Sequence, residues 1–262
     1  MKAEDIIRYS VRRNYRKRFS VKREYFVCME INIPLGSRFM KTVSEQAERI
    51  IPRLNLGKAN SSERRDLDTV EIDNLSGIIA EAACMEVMDW RYGRCGKVRR
   101  PESCSSYNQV DLKLYNDKTI EVRSSCVRNG IDFALFARNA DRPREQYFDV
   151  IGPYSNDYKK AETYKDYYMR VLYECEKKNF MKLLEGESLR LYITGGATRK
   201  MMMDPECCQI KHLVPAGGEV RTESDYRVIP LAKSLDIREF FSLLERENEE
   251  LKVMRDSAGG HA

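Results

Sequence analysis

Two short apolar–polar alternations joined by a polar turn constrain this chain more than any other feature. The stretch is QVDLKLYNDKTIEVRSS, from Gln109 to Ser125. Side chains alternate between faces along a strand, and residues opposite one another across a hairpin share a face. One face must then collect Val110, Leu112, Leu114, Ile120 and Val122. The other collects Asp111, Lys113, Tyr115, Thr119, Glu121 and Arg123. A loop with an even number of residues would mix the two sets, so the apolar face demands an odd one. With Asn116-Asp117-Lys118 as that loop, Tyr115 faces Thr119 and Asp111 faces Arg123. The parity puts both carboxylates on the same face.

Two like charges about 4 Å apart repel by roughly 4 kcal/mol at an effective dielectric of about 20. Asp111 and Glu121 therefore need an offset, which Arg123, Lys113, a proton or a divalent cation would supply. Mg2+ is commonly held by one or two carboxylates together with substrate phosphate. A solvated sheet face of alternating charge is the competing reading. Glu81 bears on the choice, because it lies in GIIAEAACME, an apolar helical stretch where an unpaired carboxylate is expensive. A site in front of that helix would give it a partner, whereas a helix turning Glu81, Glu86 and Asp89 to solvent would not need one. Basic stretches flank the hairpin, Arg91 to Arg100 before it and Arg128 after it.

A chain of 262 residues can bury a sizeable core, and one elaborated domain is expected. Its 42% apolar and 33% charged residues fit a soluble globular protein. No run of 18 or more apolar residues occurs, so no membrane span is expected. The opening MKAEDIIRYS lacks the layout of a secretory signal, and a cytoplasmic protein is expected. Cys28, Cys84, Cys126 and Cys175 sit in apolar segments and read as reduced core residues. With only His212 and His261 present, histidine-based nucleases, His-zinc hydrolases and Ser-His-Asp enzymes are poorly supported.

Net charge is a modest +5, but Arg8 to Arg23 holds eight basic residues, no acidic one, and Tyr9, Tyr15 and Phe19 between them. Cations interleaved with aromatics suit a polyanion, by counterion release and by packing on sugars or bases. A merely basic, solvated helix or edge strand is the alternative. Candidate nucleic-acid contacts are Arg12, Arg13, Arg16, Lys17 and Arg18 here, Arg99, Arg100, Lys113 and Arg128 around the hairpin, and Arg199 and Lys200. The last two end TGGATRK, which lacks a full phosphate-loop pattern and reads as a turn near phosphate.

Strands are expected at residues 24 to 33, from Ile131, from Gln146, from Ser188 to Thr194 and from Tyr226. Helices are expected over Thr42 to Leu54 and Asn74 to Trp90, and over Tyr158 to Glu176, where apolar residues recur at helical spacing. A final long helix, capped by Ser234, places Ile237, Phe240, Phe241, Leu244, Leu251 and Met254 on one stripe. Its charged half, ERENEELK, is expected to project and pair with another copy, or to fray.

The order of a helix with Glu81, a strand with Asp111 and a strand reading Glu121-Val122-Arg123 resembles the PD-(D/E)XK, restriction-endonuclease-like nucleases. The match runs from about Leu75 to Thr194. The resemblance implies an α/β fold whose central mixed β-sheet is flanked by helices. One domain is expected, with residues 1–70 a basic extension, 71–200 the core that the resemblance touches, 201–256 a C-terminal addition and 257–262 a disordered tail. The resemblance further implies a Mg2+- or Mn2+-dependent endonuclease acting on DNA, with RNA not excluded, in restriction or mobile-element biology and as a homodimer. Asp111 and Glu121 would hold the metal, Glu81 would assist, and Arg123 takes the place of the motif lysine. Val110 stands where the motif has proline. Arginine is effectively never deprotonated, so Arg123 can stabilise charge but cannot serve as the general base. The rival expectation is a nuclease-like protein that binds nucleic acid without cutting it, with Arg123 neutralising Asp111 and Glu121. A third is a protein–protein adaptor.

Overall fold

The computed structural model describes residues 6–13, 24–50, 67–94, 98–101, 110–127, 129–136, 149–157, 162–213 and 224–258. Its strands are β1 (Ile7–Arg13), β2 (Tyr25–Pro34), β3 (Val98–Arg99), β4 (Leu112–Leu114), β5 (Thr119–Cys126), β6 (Asp149–Ser155), β7 (Tyr167–Tyr173), β8 (Ser188–Thr198), β9 (Gln209–Leu213) and β10 (Ser224–Pro230). Its helices are α1 (Arg38–Ile50), α2 (Leu67–Tyr92), α3 (Ile131–Phe136), α4 (Phe180–Leu183), α5 (Arg199–Met203), α6 (Ile237–Glu247) and α7 (Glu249–Ser257).

Seven strands form one sheet in the order β1-β2-β8-β7-β5-β4-β3, and β6, β10 and β9 form a second. All neighbours in the large sheet are antiparallel except β5 and β7. The fold is therefore α/β, with a large mixed sheet flanked by helices. The stretch before residue 70 contributes two strands of that sheet. No helix among the described residues is long and apolar enough to cross a membrane.

Both faces of the central strands are covered, and this decides the sequence pattern. Met29, Ile31 and Ile33 of β2, Met169, Val171 and Tyr173 of β7, and Leu189, Leu191 and Ile193 of β8 pack with α1, α2 and α6. Their neighbours Phe26, Cys28, Tyr168, Leu172 and Tyr192 face the other way, against α3, Val150, Met202 and Ile229. Each such side chain contributes about 1.5–3 kcal/mol by leaving water. The YYMRVLY of β7 is buried at every position. A strand with two buried faces loses its alternation and imitates the spacing of a helix. That is why the helix expected over Tyr158 to Glu176 is a central strand instead. Conversely, the strand expected from Ile131 is the short helix α3, which buries Ile131, Ala134, Leu135 and Phe136. Helix α2 runs past both ends of the expected Asn74–Trp90.

Gly195 and Gly196 do not end a strand or form a turn; they lie inside β8. A Cβ on Gly196 would come 1.7 Å from the Tyr168 carbonyl oxygen of β7. Gly195 has φ +102, and its Cβ would meet the Leu235 carbonyl oxygen at 2.2 Å. These glycines serve close backbone packing, not a phosphate loop.

Ser234 does not cap the final helix. Asp236 does, accepting from the Arg238 and Glu239 N–H groups while Glu239 reaches back to the Asp236 N–H. Ser234 is buried and donates to the Leu231 carbonyl. Nor does the charged half of that helix project. Asn248 breaks it with φ −141 and ψ 80, and α7 turns back to bury Leu251. Glu245 accepts from Arg91 Nε at 2.8 Å and from Arg255 at 2.6 Å, inside the chain. Of the segment that suggested a homodimer, Glu245, Asn248 and Leu251 are thus buried within the chain, while Arg246, Glu247, Glu249, Glu250 and Lys252 stay exposed. The Asn248 amide donates to the Leu244 carbonyl at 2.6 Å and its oxygen accepts from Asn116 at 2.7 Å. Asn248→Ala should therefore cost about 1–3 kcal/mol, readable as a lowered denaturation midpoint with unchanged m-value.

Candidate active site

The hairpin parity holds, because Leu112, Leu114, Ile120 and Val122 are all buried on the α2 side. The register differs from the expected one by two residues. Leu112 pairs with Ile120 and Lys113 with Thr119. The turn closes one residue earlier, at Tyr115 to Asp117, with Leu114 N–H donating to the Lys118 carbonyl. Asp117 makes this possible by taking φ 61, a left-handed conformation its short polar side chain tolerates. One step along the ladder, Asp111 comes opposite Glu121 and not Arg123. The Asp111 carboxylate accepts from the Val122 N–H at 2.7 Å, taking the place of a strand carbonyl.

Glu121 and Arg123 stand on the opposite face of β5 from Val122, as the period of 2 requires. Asp111 and Glu121 are 9% and 8% exposed, which is unusual for carboxylates. Burial, followed by repulsion from Glu81, pushes Asp111 up to about 6, against the Val122 N–H, Arg123 and Lys165. Burial pushes Glu121 up to about 7; Arg123 opposes the shift while Asp111 and Glu162 add to it. On α2, Glu81 is raised by burial and by Glu121, with Arg100 opposing. Arg100 lies 3.8 Å from Glu81 and also donates to Gln46 and to the Ile78 carbonyl. Asp111 just before β4, Glu121 on β5 and Glu81 on α2 therefore share one electrostatic neighbourhood, and Arg100 is the partner Glu81 needed.

Arg123 Nη2 lies 2.8 Å from Glu121 and 3.4 Å from Glu162. Burial works against its charge, but Glu121, Glu162 and Asp111 more than offset this and hold it protonated. The segment before β7 completes the site. Glu162 also accepts from the Tyr154 N–H, and the Lys165 N–H donates to the Tyr168 hydroxyl. Lys165 is 3% exposed, and its charge is felt by both Asp111 and Glu121. Asp166 ties this segment to β5 by accepting from the Thr119 N–H at 2.8 Å and hydroxyl at 2.9 Å. Beside Arg123 on β7, the buried Arg170 donates to Ser125 at 2.9 Å. Sequence reasoning missed Glu162, Lys165 and Arg170. The mixed charges of AETYKD were the only signal for the first two.

Among the described residues, no group of three or more His, Cys, Asp or Glu is arranged to hold a metal ion. The donor set still fits a hard divalent cation, since Mg2+ keeps several waters and needs one or two carboxylates from the protein. Asp111 and Glu121 would supply two, in a setting that resists their ionisation.

The basic candidates divide. Arg99 and Lys113 reach Asp117 at 3.1 and 3.6 Å on the outer edge formed by β3 and β4. Arg199 and Lys200 open α5 and are exposed, with Arg199 5.8 Å from the Tyr164 ring centre. Arg12 lies over Tyr192 at 4.9 Å and pairs with Asp132 at 3.5 Å. Arg13 lies over Tyr25 at 5.5 Å. Arg8, Arg12 and Arg190 converge on the buried Glu30. Strand β1 therefore spends part of its charge within the protein. Arg16, Lys17, Arg18, Arg128 and Gln109 lie outside the described residues, as does the tail from residue 259. His212 is exposed on β9 and paired with Asp225 at 2.9 Å.

Fold and site together define an α/β chain whose mixed sheet carries a buried acidic cluster gripped by arginines. No family model matches the chain, and no solved structure matches it. The uncharacterized protein MJECS01 of Methanocaldococcus jannaschii is 25% identical to it over 170 residues, covering 54% of this chain and 55% of that protein. The chain thus spans about half the length of that curated relative.

Proposed function

We propose that this chain is a metal-dependent endonuclease with a restriction-endonuclease-like core that hydrolyses DNA phosphodiesters. One observation carries the reading. Asp111, Glu121 and Glu81 are gathered where burial and mutual repulsion raise all three proton affinities. Perturbed acids in such a cluster mark functional sites, because the arrangement costs stability that a bound cation would return. Asp111 and Glu121 would hold Mg2+ or Mn2+, and Glu81 would assist. When bound, the ion supplies Lewis-acid polarisation of the phosphate and a water of lowered pKa. Arg123 stays protonated and donates to charge developing on the phosphate. Lys165 adds positive potential from the segment before β7. Arg99, Lys113, Arg199 and Lys200 would meet DNA phosphates outside the cluster.

A second reading has its own observation. The 2.8 Å contact between Arg123 and Glu121 already pairs one carboxylate with a fixed cation. A nuclease-like protein that binds nucleic acid without cutting it would keep that pair permanently. Incubating the chain with supercoiled and single-stranded DNA, with Mg2+ or Mn2+ and then with EDTA, separates the two. Cutting that requires the metal is the expected result. Salt-sensitive binding without cutting would sink the nuclease reading and leave the binder. Absence of both would leave the adaptor.

A further inference from the structure

The position of Arg123 raises a difficulty for any cation at Glu121, and the geometry around it also offers the way out. A guanidinium meets a carboxylate best as a fork, with two parallel N–H donors on two oxygens. Arg123 does not do this. A single nitrogen, Nη2, is shared between Glu121 at 2.8 Å and Glu162 at 3.4 Å. Its Nε is buried with no hydrogen-bond partner among the described residues.

We propose that Glu162 is the alternate seat of Arg123, a positioning residue that takes over the guanidinium when Glu121 is given to a divalent cation. The inference rests on the reading of Asp111 and Glu121 as cation ligands. Its physical logic is that of charge held within a protein. Drawing off one partner of an ion pair leaves the other uncompensated. A cation that drew Glu121 away from Arg123 would leave the guanidinium so unless a second carboxylate stood ready. Glu162 meets the requirement. Its side chain is 9% exposed, and it already touches Arg123. One oxygen accepts from the Tyr154 N–H at 3.2 Å and the other from Arg123 at 3.4 Å. Asp166 anchors the same segment to Thr119, so the seat is held at a set distance from β5.

The test is Mn2+ binding by the full chain, read as free Mn2+ by electron paramagnetic resonance, in a double-mutant cycle. Glu162→Gln keeps the shape and the acceptor for Tyr154 but removes the charge. It should weaken Mn2+ binding about tenfold or more, in the range seen when outer partners of ligating carboxylates are removed. Glu162→Asp should recover part of the loss. In an Arg123→Met background, Glu162→Gln should have no effect, because no guanidinium is left to seat. An equal loss in both backgrounds would overturn the proposal, since Glu162 would then act on the metal or the fold directly. Unchanged binding in Glu162→Gln would also overturn it, while leaving the cation site intact. Absence of Mn2+ binding by the wild-type chain would overturn the cation site and the alternate seat together. Thermal unfolding of each variant without metal, compared with wild type, separates lost binding from lost folding.

Discussion

Asp111→Asn and Glu121→Gln are each expected to reduce Mg2+-dependent DNA cleavage by on the order of a hundredfold or more while leaving DNA binding nearly unchanged. Both changes keep size and hydrogen-bonding capacity but remove a charge. The effect on a folded chain is therefore electrostatic, which is how a divalent cation is held. Loss of an outer partner alone typically costs about 10–100-fold, so loss of a direct ligand should cost no less. Binding should survive because nucleic-acid affinity comes mainly from cations on phosphate, and neither residue is one. The converse set is Arg199→Gln and Lys113→Gln. These should weaken binding and flatten its dependence on salt, with cleavage of saturated DNA little altered. Gel assays with EDTA controls and binding at two salt concentrations would sort the four variants. If Asp111→Asn cut DNA as well as wild type, the acidic cluster would not be the reacting centre. The binder reading, with Arg123 as a fixed counter-ion, would then take its place.

How much of this was legible in the sequence depends on what kind of physics carried each part. The faces of the hairpin were legible because a period of 2 against a buried layer allows no other parity. The register was not, because Asp117 accepts a left-handed conformation that few residues adopt, and it closed the turn one residue early. Slipping by two preserved the faces and changed the partner, so Asp111 answers Glu121 and not Arg123. Glu81 was legible as a carboxylate out of place in an apolar helix. The other half of the site was hidden, because Glu162 lies 39 residues from Arg123 and reaches it only through the parallel pairing of β5 with β7. That pairing was invisible while YYMRVLY read as a helix. A strand buried on both faces has no alternation to show, so the error in β7 and the omission of Glu162 and Lys165 have one cause.

The acidic cluster should also show itself without any substrate, as a stability that falls when the solution becomes less acid. The Glu121 carboxyl is pushed from 4.5 up to about 7, chiefly by burial. Between those values the folded chain binds more protons than the unfolded one, so its stability declines as pH rises through the window. A shift of that size corresponds to on the order of 3 kcal/mol, with Asp111 acting in the same direction. In EDTA, Glu121→Gln should therefore match wild type near pH 5 and exceed it at pH 8 by up to roughly that amount. An added divalent cation should stabilise wild type at pH 8 and the variant much less, since one of the two carboxylate ligands is gone. The measurement is chemical denaturation at pH 5 and pH 8, with and without Mn2+. A wild-type stability flat across the window, or a variant weaker than wild type at pH 8, would mean that Arg123 already compensates Glu121 in full. A carboxylate so compensated has no unmet charge with which to attract a metal. The same curves thus weigh the endonuclease against the binder before any DNA is added.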